Sequence, residues 1–299
     1  MSDRHIIIGA GPVGRATADA LAARGADVVL ASRSGAGNTK AVDATSAEAL
    51  TELANGAVAI YNCVNPPAYD KWPELWPPVA NALLAAAQRS GAVLVTAANL
   101  YPYGPVDGAM VEGMPDAPSG KKAQVRATMT ADAFAAHAAG RLRAVEVRGS
   151  DYVGAGPGDY AHVPRVIEKA LKGKAVRVIG SADQPHTWTD VRDMGRALAT
   201  VATEESAWGK VWHAPSNAPR TQAEAVNDVL ASVGVKPVSV KALSPLMFTV
   251  VSSFVPIVRE LKETAYQFTR PFVMDSSAIT AAFGLEPSPW DDICRRTAK

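Results

Sequence analysis

Short, nearly continuous apolar runs alternate with alanine-rich stretches of helical length over the first 150 residues. Such runs are typical of strands that are buried on both faces of a sheet. The apolar runs are Ile6–Ile8, Val28–Ala31, Val58–Tyr61, Val93–Thr96 and Ala144–Val147. The helix candidates between them are Val13–Arg24, Ala47–Asn55, Trp76–Ser90 and Ala127–Ala139. This alternation predicts an α/β fold with a doubly wound parallel sheet of the Rossmann type.

The alternation loosens after Gly149, where shorter elements follow a glycine-rich loop. The elements expected there, in chain order, are Val163–Gly173, Val176–Ile179, Asp190–Ala202, Lys210–Ala214, Thr221–Val233 and Val238–Lys241. The apolar stretch Pro245–Phe268 is interrupted by Pro256, so we expect it to form a pocket lid or the surface of a homodimer rather than a membrane span. Residues 1–150 are expected to form the Rossmann domain, and residues 151–299 to complete the sheet and build a smaller substrate lobe over the strand ends.

Composition narrows the class of protein further. The 30 basic and 29 acidic residues leave a formal charge of +1, without the basic excess of a general nucleic-acid binder. No apolar run is long enough to cross a bilayer, and the N-terminus lacks a signal-peptide layout. Cys63 and Cys294 show neither a disulfide framework nor metal-ligand spacing. We therefore expect a soluble cytoplasmic protein with no nucleic-acid partner, no membrane contact and no metal.

The first apolar run leads directly into a glycine-rich turn and then into a helix candidate. In this context a Gly-x-Gly-x-x-Gly pattern is typical of dinucleotide binding, whereas a turn without a ligand is the less favoured alternative. Gly9 allows the tight turn, Gly11 lets the backbone approach a diphosphate, and Gly14 lets the helix pack closely on the strand. Pro12 suits the first helical position, and the amides of Val13 and Gly14 remain available to phosphate.

The end of the second strand predicts which dinucleotide is bound. An acidic residue there would hold the ribose hydroxyls of NAD, but the chain has Ser32 and Arg33. A guanidinium suits a 2′-phosphate, because its planar fork forms paired charge-assisted hydrogen bonds. One or two such bonds, at roughly 1.5–3 kcal/mol each, favour NADP over NAD by about ten- to several-hundred-fold. A solvated surface arginine is the alternative interpretation.

Further residues are candidates for the adenosine end of the cofactor. Asp43 is expected either to accept a hydrogen bond from the adenine amino group or to cap the helix that starts at Ala47. Cys63, Val64 and Asn65 end the third strand, before two prolines force the chain out of it. Because they are small or apolar, we expect them to pass under the adenosine.

Several motifs also occur in the order of a known superfamily. Besides the glycine-rich turn, they are Asn62–Pro67, Asn99–Gly104, Arg148–Gly154, His186–Asp193 and Phe283–Pro287. Together they resemble the extended short-chain dehydrogenase/reductase superfamily, in its branch of NAD-dependent epimerases and dehydratases. The resemblance covers nearly the whole chain and implies a nicotinamide dinucleotide, hydride transfer and a small-molecule substrate.

The catalytic residues depart from the pattern of that superfamily. Its members carry a serine five residues before the glycine of a Tyr-Gly pair, where this chain has Asn99. They also carry a tyrosine with a lysine four residues later, and no tyrosine here has a lysine at that spacing. In the corresponding segment Lys122 represents the lysine, without its tyrosine. The chain therefore resembles an atypical subgroup that lacks the Tyr-x-x-x-Lys pair.

Three residues remain as candidates for the chemistry. Asn99 is expected to donate its side-chain amide to a substrate carbonyl, or else to serve as a turn residue. Tyr101 is expected to act as the proton donor, or else as a buried aromatic residue. The resemblance implies that Lys122 contacts the cofactor ribose and the developing alkoxide. Lys122 and Arg126, four residues apart, would share a helix face, and a solvated face is the alternative.

Two functional hypotheses follow. The first is an NADP-dependent oxidoreductase or epimerase that acts on a small carbonyl, sugar or natural-product substrate. Its pocket would be walled by Tyr69, Trp72 and Trp76, unless these pack in the core. The second is a non-catalytic dinucleotide-binding sensor or regulatory module. The enzyme is favoured, because loss of a positioned acid–base group costs about 10²–10⁴ in rate without preventing hydride transfer.

Overall fold

Parallel strands form the central layer of the protein, as the apolar runs predict. The computed structural model describes residues 3–66, 68–158, 161–243 and 263–299. Its strands are β1 (Arg4–Ile8), β2 (Asp27–Ser32), β3 (Lys40–Ala41), β4 (Ala59–Asn62), β5 (Val93–Asn99), β6 (Ala109–Met110), β7 (Ala144–Gly149), β8 (Asp151–Val153), β9 (Val176–Val178), β10 (Trp188–Asp190), β11 (Val211–His213), β12 (Val240–Ala242) and β13 (Val273–Met274). Seven of them form one all-parallel sheet in the order β11-β7-β5-β4-β1-β2-β3.

Helices cover both faces of this sheet. The helices of the described chain are α1 (Pro12–Ala22), α2 (Ala47–Leu53), α3 (Trp72–Ser90), α4 (Lys121–Ala138), α5 (Pro164–Leu171), α6 (Val191–Val201), α7 (Gln222–Ser232), α8 (Tyr266–Thr269), α9 (Ser277–Phe283) and α10 (Trp290–Thr297). Because side chains alternate along a strand, Ile6 and Ile8 pack in one apolar cluster with α2, α3 and α4. Ile7 packs in a second cluster with α1 and α6 on the other face. The predicted α/β fold, with a doubly wound Rossmann sheet, is confirmed.

The order of the strands reverses beside β1. From β1 the chain first builds outward through β2 and β3, and then returns to the other side of β1 with β4. At such a reversal the loops after the two neighbouring strands leave in opposite directions, so that a crevice opens beyond their carboxyl ends. The glycine-rich turn follows β1 at this point, with Gly11 at the mouth of α1 as predicted.

The helix α1 packs at unusually short range against its surroundings. A Cβ atom added to Gly14 would lie 1.8 Å from the carbonyl oxygen of Gly9, and one added to Gly9 would lie 2.4 Å from that of Cys63. On the opposite side of α1, a Cβ on Gly195 of α6 would lie 2.5 Å from the backbone of Ala16. Real side chains do not occupy such distances, so these positions require glycine for space.

The second half of the chain contributes both to the sheet and to an additional lobe. β11 is the last strand of the central sheet, whereas β8 pairs with β10 and β9 with β12 in separate two-stranded sheets. A third apolar cluster, with residues of α5, α7 and α10, fills the lobe. Arg296 of α10 donates to the buried carboxylate of Asp190 (Nη1–Oδ1 3.0 Å), which also caps α6, so the lobe and the sheet are tied together.

Two predicted helix starts were wrong. α3 begins at Trp72 and not at Trp76, because Pro73 is tolerated in the first turn and both indoles are buried in the core. α4 begins at Lys121 and not at Ala127, since its first turns carry polar side chains that break the apolar pattern. Other predicted ends differ from the structure by one to three residues.

Residues 245–262 of the stretch expected to form a lid or a dimer surface lie outside the described residues. Within the described parts of the chain, no helix combines the length and the apolar character needed to cross a membrane.

We expect Gly14→Ala to lower the free energy of unfolding by about 3 kcal/mol, because its Cβ would collide with backbone. Gly11→Ala is the matched control, since no atom lies within 4 Å of a Cβ there and its φ of −72° suits any residue. The control should stay within about 0.5 kcal/mol of the parent protein in urea unfolding. Equal stability of the two variants would contradict the close approach.

Candidate functional site

A cavity of about 490 Å³ opens at the carboxyl edge of the sheet, beneath the lobe. Its wall combines the turn before α1, the ends of β4 and β5, the connection from β7 to β8, and side chains of α3, α4 and α5. The corresponding stretches include residues 11–13, 63–65, 97–101 and 149–152. One continuous space therefore joins the glycine-rich turn to the segment that carries the candidate catalytic residues.

The wall at the amino end of α1 fits the diphosphate of a dinucleotide. Gly11 is the N-cap residue, its Cα faces open space, and Pro12 and Val13 follow it in the wall. The first turn of α1 contains no acidic side chain. Unpaired amides and the positive end of the helix dipole attract phosphate at such a terminus. Gly9 and Gly14 act behind this surface, where they allow the turn and the close packing of α1.

The end of β4 forms the adjoining part of the wall. Cys63, Val64 and Asn65 all line the cavity, with Cys63 buried, Val64 half-buried and Asn65 exposed. The amide of Cys63 donates to the carbonyl of Ile8 (2.8 Å), which fixes this strand end beside the glycine-rich turn. Burial raises the pKa of the Cys63 thiol to about 12. The thiol is therefore neutral at physiological pH and serves as a small packing group.

Ser32, Arg33 and Asp43 lie beyond the cavity wall, at the carboxyl end of β2. Arg33 is exposed, so its guanidinium is accessible to a ligand. The backbone N–H of Thr45, together with its hydroxyl and the nearby charge of Arg33, lowers the pKa of Asp43. Asp43 does not cap α2, because the side chain of Ser46 accepts the hydrogen bond at that position.

Asn99 and Tyr101 both line the cavity. Asn99 Oδ1 accepts a hydrogen bond from the amide of Tyr101 (3.2 Å), so its side chain does stabilise the turn. The NH₂ group of the same side chain points away from that contact and can donate to a ligand. Burial raises the pKa of Tyr101 well above its usual value, and the neighbouring hydroxyl of Tyr69 adds to this rise. Tyr101 is therefore a neutral hydrogen-bond donor.

Lys122 lies near the cavity but is not among the residues that line it. It is buried, and its ammonium pairs with Glu263 (Nζ–Oε2 3.1 Å). The other oxygen of Glu263 accepts from the backbone amide of Lys122 (2.7 Å), in the first turn of α4. Glu263 thus neutralises the lysine charge and holds the start of the helix.

The aromatic cluster of Tyr69, Trp72 and Trp76 belongs both to the core and to the wall of the cavity, the two roles that the sequence left open. Trp72 and Trp76 are 2% and 1% exposed and pack in the core, yet together with Tyr69 they also line the cavity. The ring of Tyr69 lies 4.6 Å from that of Trp72. The meeting of Tyr69 and Tyr101 in the cavity wall was not predicted, because no sequence signal connects the segment before α3 with the end of β5.

A buried polar cluster on β8, α5 and β10 was also missed. His186 Nδ1 lies 3.1 Å from the carbonyl oxygen of Gln267, and Nε2 lies 2.9 Å from Asp151 Oδ2. The imidazole of His186 is therefore held between a backbone carbonyl and a carboxylate. His162 and Arg165, which are hydrogen-bonded to each other, complete the cluster. Residues from distant parts of the chain meet here, and their spacing in the sequence gives no signal.

A Rossmann sheet whose glycine-rich turn opens into a deep cavity defines a dinucleotide-binding protein. The sequence pattern of the NAD-dependent epimerase/dehydratase family matches residues 6–213, which is more than half of the chain. The chain belongs to the NAD-dependent epimerase/dehydratase family. No curated protein shows significant sequence similarity to it.

Solved structures share the fold over nearly the whole chain. A dTDP-glucose 4,6-dehydratase from Bacillus anthracis, in complex with NAD, superposes with a TM-score of 0.78 at 16% identity, over 99% of this chain and 96% of that one. The dTDP-glucose 4,6-dehydratase DesIV from Streptomyces venezuelae, also with NAD bound, gives 0.77 at 18% identity, over 98% and 95%. RMD from Pseudomonas aeruginosa, complexed with NADPH, gives 0.75 at 15% identity, over 100% and 97%.

These findings confirm three expectations at the level of the family. The resemblance to extended short-chain dehydrogenases/reductases is confirmed, and so is the expectation of an NAD(P)-dependent oxidoreductase or epimerase. The expectation of a nicotinamide dinucleotide cofactor agrees with the NAD dependence of the family. Structural neighbours with NAD and with NADPH both occur, so they do not distinguish the two cofactors.

Stability should fall as the pH is lowered from 6.5 toward 4.5. Burial lowers the pKa of His162 to about 3 and that of His213 to about 4, so both are neutral in the folded protein. The unfolded chain takes up these protons near pH 6.5, and folding then loses up to ~1.4 kcal/mol per pH unit for each histidine. Urea unfolding at pH 7.5, 6.0 and 5.0 measures the slope, and His162→Gln should reduce it. A free energy that stays constant between pH 7.5 and 5.0 would contradict the buried neutral state.

Proposed function

We propose that the protein is an NADP(H)-dependent oxidoreductase or epimerase that acts on a small carbonyl, sugar or natural-product substrate. The observation that carries this proposal is the continuous cavity from the mouth of α1 to the ends of β5 and β7. Gly11 and the first amides of α1 would hold the diphosphate. Asn99 and Tyr101 would border the nicotinamide end, and residues 151–299 would supply the substrate lobe.

The choice of NADP rests on Arg33 and Ser32. Arg33 directly follows β2 and is exposed, and its neighbours in the sequence, Ser32 and Ser34, are not acidic. A guanidinium there can form paired hydrogen bonds with a 2′-phosphate. The carboxylate of Asp43 lies within electrostatic reach of Arg33, and it is already bonded to Thr45. It therefore limits but does not cancel the attraction of the guanidinium for phosphate.

When bound, the dinucleotide supplies or accepts a hydride. The free NH₂ group of Asn99 would donate to the reacting carbonyl oxygen, which stabilises the charge that develops there. The pKa values of Tyr69 and Tyr101 depend on each other, and both residues line the cavity, where either hydroxyl could donate a proton to a substrate. We therefore assign proton donation to the two tyrosines acting together. Lys122, whose charge is balanced by Glu263 and which does not line the cavity, would act by holding the start of α4 beside the site.

The substrate class is supported by the cavity wall and by the structural neighbours. Tyr69, Trp72 and Trp76 offer flat apolar surface, and the cavity volume of about 490 Å³ suits a ligand of moderate size. Two of the neighbours are dTDP-glucose 4,6-dehydratases. A sugar, or a natural product with a carbonyl group and a flat apolar part, is consistent with both observations.

NADPH should bind at least tenfold more tightly than NADH, because Arg33 adds one or two charge-assisted hydrogen bonds to the 2′-phosphate. Fluorescence titration of the parent protein measures both affinities. Arg33→Ala should remove most of the difference, whereas Arg89→Ala, an exposed arginine in the last turn of α3, should leave it unchanged. Equal affinities of the parent protein for the two dinucleotides would exclude the assignment.

Tyr101→Phe should lower turnover by about tenfold or more and leave NADPH affinity nearly unchanged, because it removes a proton donor and little contact area. Tyr69→Phe should have at least as large an effect. NADPH oxidation with a panel of carbonyl compounds identifies a working substrate and then measures kcat.

Tyr103→Phe is the matched control, because that hydroxyl is bonded to His213 (2.8 Å) and does not line the cavity. Its turnover should equal that of the parent protein. An unaltered kcat in Tyr101→Phe would remove Tyr101 from the mechanism. If the parent protein binds NADPH but oxidises it with no compound of the panel, the result would favour the alternative function, a non-catalytic dinucleotide-binding sensor or regulatory module.

A further inference from the structure

Arg126 is a buried cation in the wall of the cavity. It lies on α4, one helical turn after Lys122, and is 5% exposed. Its guanidinium donates to the carbonyl oxygen of Ala97 on β5 (2.9 Å) and lies over the ring of Trp76, 4.6 Å from the ring centroid. These two contacts hold the side chain in place, but neither supplies a negative charge.

Among the described residues, no carboxylate pairs with Arg126. The acid that interacts most strongly with it is Glu146. Both oxygens of Glu146 are already used, by Arg148 Nε (2.8 Å) and by the hydroxyl of Thr130 (2.8 Å). Arg148 also forms a bidentate pair with Asp116 (2.7 and 3.1 Å). Two buried arginines thus lie near one another, one with two carboxylate partners and the other with none in the described chain.

A buried guanidinium without a counter-charge is unfavourable, because it has lost its hydration and gained little in return. Burial accordingly lowers the pKa of Arg126. The indole N–H of Trp76, beside it, has no acceptor among the described residues either. Asp151 is the only carboxylate among the described residues of the cavity wall, and it is bonded to His186. Arg126 therefore presents a positive charge in the part of the wall formed by α3 and α4.

We propose that Arg126 binds an anionic oxygen group of the molecule in the cavity, namely the carboxylate of a substrate. The planar fork of a guanidinium matches a carboxylate with two parallel hydrogen bonds. The neighbouring rings of Trp76 and Tyr69 favour an acid with a flat apolar part. The inference rests on the proposed function only in placing the substrate in this cavity. The diphosphate of the dinucleotide offers the same chemistry, and the experiment separates the two sources.

Benzoate and its neutral counterpart benzamide are suitable probes, because they share one shape and differ in the charged oxygen group. Ligand-observed NMR titration, with and without saturating NADP⁺, measures their affinities. The parent protein should bind benzoate at least tenfold more tightly than benzamide. Arg126→Met should abolish this difference, and Arg126→Lys, which keeps the charge but not the fork, should restore part of it. The affinity for NADP⁺ is measured separately in each variant.

If Arg126 binds the carboxylate of a substrate, Arg126→Met should weaken benzoate binding and leave NADP⁺ affinity unchanged. A fall in NADP⁺ affinity without an effect on the probes would instead assign the anionic group to the dinucleotide. The proposal is overturned if the parent protein does not prefer benzoate and NADP⁺ affinity is also unchanged in Arg126→Met. Failure of the proposed function would appear separately, as a parent protein that binds no dinucleotide.

A purely structural role for Arg126 is tested by thermal unfolding. Arg126→Met should unfold at the same or a higher temperature than the parent protein, because methionine keeps the contact with Trp76 and removes an unpaired charge. Arg148→Met is the matched control and should unfold at a clearly lower temperature, since it leaves Glu146 and Asp116 without their partner. A similar loss of stability in both variants would show that Arg126 supports the fold rather than a ligand.

Discussion

The position of α1 is the constraint on which the rest of the structure depends. The helix is held between the ends of β1 and β4 on one side and α6 on the other, at distances that leave no room for a side chain at Gly9, Gly14 or Gly195. Because these contacts are between backbone atoms, the helix cannot adjust by changing a rotamer. Its amino end is therefore fixed at the reversal of strand order, where the cavity begins. The same close packing that completes the core also produces the phosphate-binding surface.

Much of the fold could be predicted from the sequence, because buried parallel strands and the helices between them leave a local pattern of apolar residues. The pattern failed where tertiary contacts override it. At the start of α4, Lys122 and Arg126 are polar but buried, so the segment does not look like a core-facing helix. At the start of α3, the burial of Trp72 stabilises the helical conformation of a proline-rich segment. The short pairs β8–β10 and β9–β12 connect distant segments and have no local signal.

The parts of the candidate site that could be predicted from the sequence are those that a few consecutive residues define. The glycine-rich turn and Asn99 are each defined within a few consecutive residues, and both line or border the cavity. The hydrogen-bond and ion-pair partners of a side chain could not be predicted, since they depend on contacts between elements that are distant in the sequence. Nothing in the sequence indicates that Glu263 neutralises Lys122 while Arg126 is left without a carboxylate. A resemblance to a family transfers positions along the chain, but not the charge balance that the folded chain creates around them.

That charge balance determines what the cavity accepts. Burial opposes the ionisation of Asp151, but the neighbouring His162, His186 and Arg165 lower its pKa, so it is present as a carboxylate. His162 accepts from Arg165 through Nδ1 and is neutral, because burial lowers its pKa to about 3. In the described wall, Arg126 and Arg165 therefore outnumber this one carboxylate and leave a net positive charge. Two guanidiniums with little access to water favour an occupant that brings negative charge with it, and a neutral sugar alone would leave that charge unbalanced.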